Sequence, residues 1–159
     1  MDDFNLVLAL FEPDIAANTG AMFRTCACFG AAAAIVEPAG FVFSDARFRR
    51  AGMDYLDALR LRRHVSFAAF EAWRRGEGRR LALLTTQGEV DLWAFRFAPG
   101  DVLMVGRESA GVPSAAHEAA DARLRISIRA PLRSLNVGVA AGVALAEAVR
   151  QLSAPSRRG

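Results

Sequence analysis

Four stretches of this 159-residue sequence place glycines or hydrogen-bonding side chains directly after an apolar run. They are Glu12–Gly20 (EPDIAANTG), Thr85–Gly88 (TTQG), Gly106–Pro113 (GRESAGVP) and Arg129–Asn136 (RAPLRSLN). Gly106 and Gly111 suit close approach of backbone to a flat ligand, because no Cβ intrudes. Ser134 and Asn136 can each donate and accept hydrogen bonds. The residues also exclude chemistries. All 20 basic residues are Arg, and the two histidines, His64 and His117, read as surface residues, so these stretches hold no nitrogen base that titrates near neutrality. A nucleophile elbow, a Lys-bearing phosphate loop and a dinucleotide glycine fingerprint are all missing. Cys26 and Cys28, separated by one residue with no second ligand pair nearby, read as small apolar residues rather than metal ligands.

The elements that must position these stretches alternate between strand and helix. Strands are expected at Phe4–Phe11, Ala33–Val36, Leu59–Val65, Leu81–Thr85, Val102–Val105 and Leu124–Ile128. Helices are expected from Asn18, as cap, to Phe29, then Ser66–Arg75, Ser114–Ala120 and Asn136–Leu152, with Phe41–Arg50 as an Arg-dense loop and short helix. Such alternation predicts a mostly parallel sheet with helices on both faces, and the four stretches then fall at the carboxyl ends of strands, where ligands bind in open α/β sheets. One domain over 1–152 with a disordered tail at 153–159 fits the length. A composition 53% hydrophobic and 23% charged excludes disorder for the body of the chain. The acidic start and the lack of any apolar run near ~20 residues lead to the expectation of a cytoplasmic protein. The net charge is +3, carried by guanidinium groups alone. Both a phosphate or carboxylate partner and a general Arg-for-Lys bias account for that. The last helix is apolar on every side from Val137 to Ala146, with Gly138, Gly142 and Ala146 at four-residue spacing, which predicts a homodimer through this helix.

Taken in order, Asn18-Thr19-Gly20 with Arg24, Gly106-Arg107-Glu108-Ser109-Ala110-Gly111-Val112-Pro113, and Ser134-Leu135-Asn136 resemble the three motifs of the SPOUT class of RNA 2′-O-ribose methyltransferases. Glu12-Pro13, Glu37-Pro38 with Gly40-Phe41, Arg49-Arg50-Ala51-Gly52 with Asp54-Tyr55, and Leu84-Thr85-Thr86 look like the small bacterial subfamily that methylates the wobble nucleotide of tRNA. The resemblance spans about residues 4–152. It implies a C-terminal trefoil knot, S-adenosyl-L-methionine as cofactor, a homodimer, and cytidine or 5-carboxymethylaminomethyluridine at position 34 of leucine tRNAs as target. By motif match, Asn18, Arg24, Glu108, Ser134 and Asn136 are the reactive set. Leu84, Thr85, Gly106, Gly111, Ile126, Ser134 and Leu135 are the cofactor set, and Arg47, Arg49, Arg50 and Tyr55 contact the anticodon loop; no metal is implied. Departures from the pattern stand at Ala21, Ser109-Ala110 and Val137-Gly138-Val139.

The residues permit that chemistry. Methyl transfer to a hydroxyl depends on in-line positioning, which can supply ~7–11 kcal/mol of a barrier. An arginine holds its proton to a pKa above ~12, so Arg24 is a poor literal base. It is expected to clamp RNA phosphate and stabilise alkoxide charge, the proton leaving to Glu108, a phosphate oxygen or water. Two other readings stay open: a SPOUT enzyme acting on another tRNA position or on ribosomal RNA, and a non-catalytic RNA- or nucleotide-binding module.

Overall fold

The computed structural model describes residues 3–42 and 57–154. Its elements are β1 (Val7–Phe11), α1 (Ala16–Phe29), β2 (Ala32–Val36), β3 (Leu61–His64), α2 (Phe67–Gly76), β4 (Leu81–Leu84), β5 (Val90–Asp91), a 3₁₀ turn (Leu92–Ala94), β6 (Val102–Val105), α3 (Ser114–Ala119), β7 (Ala122–Arg125) and α4 (Val137–Ser153). The seven strands form one sheet in the order β3-β2-β1-β6-β4-β7-β5, and every pairing is parallel. Strands such as β1 and β6 are buried residue by residue, which is why they read as unbroken apolar runs.

Chain order reverses between β1 and β6. The chain moves outward from β1 through β2 to β3, then resumes on the other side. The crevice outside the carboxyl ends of β1 and β6 is therefore the switch point where such sheets hold ligands. Side chains alternate across the sheet. Leu8, Leu10, Leu103 and Val105 join Met22 and Phe23 of α1 and Ala141, Ala144 and Leu145 of α4 in one core layer. Val7, Ala9, Leu81, Leu83 and Met104 form the other with Phe70 of α2. Helices on both faces of a parallel sheet match the expected class.

Local signals explain most boundaries. Ser66 caps α2 by accepting from Ala69 N at 3.1 Å. Gly30 ends α1 in the left-handed region at φ 69°. Asn18, however, is not a cap: α1 starts earlier, after Ile15, and Asn18 sits in its first turn. β7 lies two residues earlier than expected, because Asp121 accepts from Leu81 N at 2.7 Å and sets the register with β4. Ile126–Ile128 therefore leaves the sheet as loop. β5 is too short to carry a period.

The small stripe on α4 also differs from expectation. A Cβ on Gly138 or Gly142 would make ordinary contact, at 3.9 Å, with Met22 or Thr25, so the stripe faces α1 of the same chain. The outward face carries Val139, 55% exposed, and exposed Ala146, so α4 is not covered on every side within one chain. Cys26 is buried, its thiol pushed up to about 12 by burial, whereas Cys28 is exposed rather than part of the core. His64 is buried, not at the surface, packed edge-on to Phe70 and 5.0 Å from the Trp73 ring centroid. Among the described residues no helix is long and apolar enough to cross a membrane.

Candidate active site

A cavity of about 1050 Å³ opens at the switch point, walled by the segments that follow β1, β4, β6 and β7 and by the start of α4. That volume is at the upper end of the ~300–1,000 Å³ usual for small-molecule sites. Each wall is shaped by a local constraint. After β6 the chain folds back on itself, with Arg107 N donating to Gly111 O at 3.0 Å and Gly111 N to Arg107 O at 2.9 Å. A Cβ on Gly106 would lie 2.7 Å from Gly111 C, and Gly111 sits at φ 64°, so this tight loop requires both glycines. After β4, Thr85 N donates to Leu124 O at 2.8 Å, and Gly88 turns so close to β7 that a Cβ would lie 2.4 Å from Leu124 C.

The fourth wall is the exposed segment 129–136, which ends in the cap of α4. Asn136 Oδ1 accepts from Gly138 N at 2.8 Å and from Val139 N at 3.2 Å. Its carbonyl is thus committed to starting the helix, and its Nδ2 remains as the donor that can face the cavity.

All seven residues of the expected cofactor set line this cavity: Leu84, Thr85, Gly106, Gly111, Ile126, Ser134 and Leu135. Asn18, Glu108, Ser134 and Asn136 line it too. Asn18 is delivered by the first turn of α1, and its Nδ2 donates to Glu108 Oε1 at 3.3 Å, joining the first and second motifs. Arg24 is not brought together with them. It lies on an exposed face of α1, outside the lining, because six residues along a helix turn it well away from Asn18. Arg47, Arg49, Arg50 and Tyr55 lie outside the described residues.

Other lining residues escaped the sequence reading. His117 is half-buried and lines the cavity, so the site does have an imidazole at its wall. Its helix is only six residues long, too short for a periodic face to show which way it points. Arg107, Arg125 and Arg133 add positive charge, and all stand in or beside the loops that follow strands. Behind the lining, Asp14 accepts from Ser109 Oγ at 2.5 Å and stands 3.9 Å from Arg107 Nε. Glu108 and then the Ser109 hydroxyl pull Asp14 down to about 2. Burial, then the Asp14 carboxylate, pushes Glu108 up.

The cavity fits a nucleoside-sized, partly apolar cofactor. Leu84, Val105, Ile126 and Leu135 offer an apolar wall, and the Gly106–Gly111 loop offers backbone with no side chain to block a flat ring. Among the described residues no group of acidic, His or Cys side chains could hold a metal ion.

A family model described as SpoU rRNA Methylase family matches residues 5–146. A protein of Beijerinckia indica subsp. indica named tRNA (cytidine(34)-2′-O)-methyltransferase is 59% identical over 148 residues, covering 93% of this chain and 92% of that protein. Among solved structures, one described as "Structural insights into the 2-OH methylation of C/U34 on tRNA" superposes with a TM-score of 0.89 at 40% identity, covering 93% of this chain and 96% of that one. The SpoU methyltransferase AviRb from Streptomyces viridochromogenes, in complex with the cofactor AdoMet, superposes with a TM-score of 0.87 at 26% identity, covering 96% of this chain and 62% of that one.

Proposed function

The chain belongs to the SpoU rRNA Methylase family, and on that premise we propose that it is an S-adenosyl-L-methionine-dependent methyltransferase acting on the ribose 2′-hydroxyl of the wobble nucleotide, position 34, of tRNA. Relatives bearing that activity in their names align along nearly the whole chain. The observation that carries the reading is the convergence of Asn18, Glu108, Ser134 and Asn136 with a glycine-lined cavity at the switch point. Leucine tRNAs carrying cytidine or 5-carboxymethylaminomethyluridine at that position are the substrates the sequence resemblance favours.

The bound cofactor supplies an electrophilic methyl group. Leu84, Ile126 and Leu135 would hold its apolar parts, and the Gly106–Gly111 backbone leaves room for a flat ring. Ser134 and the Asn136 amide orient the ribose hydroxyl, a positioning term of several kcal/mol. Glu108 takes up the hydroxyl proton, which suits a half-buried carboxyl whose proton affinity is raised. Arg107, Arg125 and Arg133 draw the RNA backbone toward the cavity, and Arg24 contacts phosphate from α1. The trefoil knot belongs to this reading. Its support is that β6 inserts between β1 and β4 while the chain beyond β7 returns to pack α4 on α1. The exposed Val139 and Ala146 face of α4 is where a second copy docks.

Mass mapping of nucleosides in tRNA from a strain lacking the gene tests the proposal. Loss of one 2′-O-methyl mark at position 34 of leucine tRNAs is expected. An intact mark there, or loss at another tRNA position or in ribosomal RNA, overturns it.

A further inference from the structure

Asp14 is not part of the cavity wall, yet it is built against Glu108, the carboxyl of that wall. Its Oδ2 takes the Ser109 hydroxyl at 2.5 Å, while its Oδ1 is buried with no donor. Glu108 repeats the arrangement: Oε1 takes the Asn18 amide at 3.3 Å, and Oε2 is buried with no donor. Buried carboxylate oxygens are costly when unsatisfied. A proton taken up by Glu108 would supply a donor where the structure leaves both carboxyls short of one. The chain also closes tightly around Asp14. A Cβ on Gly40 would lie 2.9 Å from Asp14 Cα, and Gly40 N donates to Pro13 O at 2.8 Å.

We propose that Asp14 is a positioning residue that strengthens Glu108 as a base: both carboxyls are ionised before the step, and the Asp14 carboxylate behind Glu108 favours passage of the ribose 2′-hydroxyl proton to Glu108. The inference rests on the reading of Glu108 as proton acceptor. In the step, the 2′-oxygen forms its bond to the methyl carbon as the carbon–sulfur bond breaks and its electron pair returns to sulfur. The 2′-O–H bond breaks with its pair left on oxygen, the proton passes to Glu108, and Glu108 releases it to solvent before the next turnover. A like charge close behind a carboxylate favours its protonated form, and a base whose pKa lies nearer the working pH is the more effective one.

The groups facing the pair are few. From its own loop Glu108 has Arg107 and Ser109, both turned toward Asp14, and from α1 it has the uncharged Asn18. The cavity side brings His117, Arg125 and Arg133. Gly40, packed on Asp14, brings no titratable side chain.

Two readouts test the inference. In the protein without cofactor, the side-chain carboxyl ¹³C resonance of Glu108 is expected to titrate above the ordinary glutamate value of about 4.3. It should fall back toward that value in Asp14→Asn, and in Asp14→Ser should the first variant fail to fold. With cofactor and tRNA saturating, the acid limb of kcat against pH should move down by the same interval in Asp14→Asn. The plateau should drop several-fold, KM for both substrates should hold, and Asp14→Glu should restore the limb. An unmoved resonance midpoint or an unmoved limb overturns the role of Asp14. Glu108→Gln with wild-type kcat overturns instead the reading of Glu108 as acceptor, and the inference falls with it.

Discussion

The two ends of the parallel sheet use charge in opposite ways. At the amino ends the buried charges are paired. Arg74, 4% exposed, bonds both Glu71 oxygens at 2.7 Å, Asp121 Oδ2 at 3.1 Å and Arg79 O at 2.8 Å. Arg80 grips both Asp101 oxygens, at 2.8 and 2.6 Å, and Asp101 also accepts from Ala98 N. These residues lie just before β4, β6 and β7 and fix where those strands start. At the carboxyl ends the accounting fails. The buried polar side-chain atoms left without a partner among the described residues are Asp14 Oδ1, Arg107 Nε, Glu108 Oε2 and His64 Nε2, and all follow or close a strand. A satisfied network holds one end rigid, so the other can keep unsatisfied groups ready for a substrate.

The largest break of this contrast comes at the satisfied end. Arg74→Met removes the cation from a buried cluster and should cost about 3 kcal/mol in urea unfolding, because Glu71 and Asp121 lose their buried partner. Turnover of the folded enzyme should be unchanged. Glu108→Gln should do the reverse, lowering kcat by about 100-fold with unfolding free energy held or raised, since a half-buried carboxyl with an oxygen left without a donor is neutralised. Gly106→Ala sits between them: its Cβ must push Gly111 backbone aside, so cofactor affinity measured by calorimetry should fall about tenfold.

The smallest effect concerns pH. Glu147 on α4 is held down to about 2 by Arg150 and then Gln151. A carboxylate held below its unfolded value contributes stability at higher pH and loses it as pH falls through the folded value. Its contribution should therefore be full above about pH 5 and vanish toward pH 2. Glu147→Gln should cost about 1 kcal/mol at neutral pH and nothing near pH 2, read from thermal unfolding.

The contrast also explains what was legible in the sequence. The carboxyl end could be read because each buried strand ends abruptly in glycine or polar residues, which marked Gly106–Gly111, Thr85 and Ser134–Asn136 as loop. The amino-end network could not be read, since Arg74, Asp101 and Asp121 come from distant parts of the chain and nothing local pairs them. Asn18 looked like a cap because Asn favours that position, but Ile15 starts the helix and leaves the Asn18 amide to reach Glu108. Asp14 stood in the Glu12–Gly20 stretch with no role of its own. Its part in the site depends on a partner 94 positions away, brought near by the pairing of β1 with β6. The α4 glycines read as a place for a second copy to approach; the tertiary structure sets α1 of the same chain against them.

The most direct test of the account is methyl transfer from isotopically labelled S-adenosyl-L-methionine to a leucine tRNA transcript, beside the same transcript with a 2′-deoxyribose at nucleotide 34. The account predicts label in the 2′-O-methyl nucleoside at position 34 of the first and none in the second. Equal labelling of both transcripts, or no labelling of either by folded enzyme that binds cofactor, would contradict it.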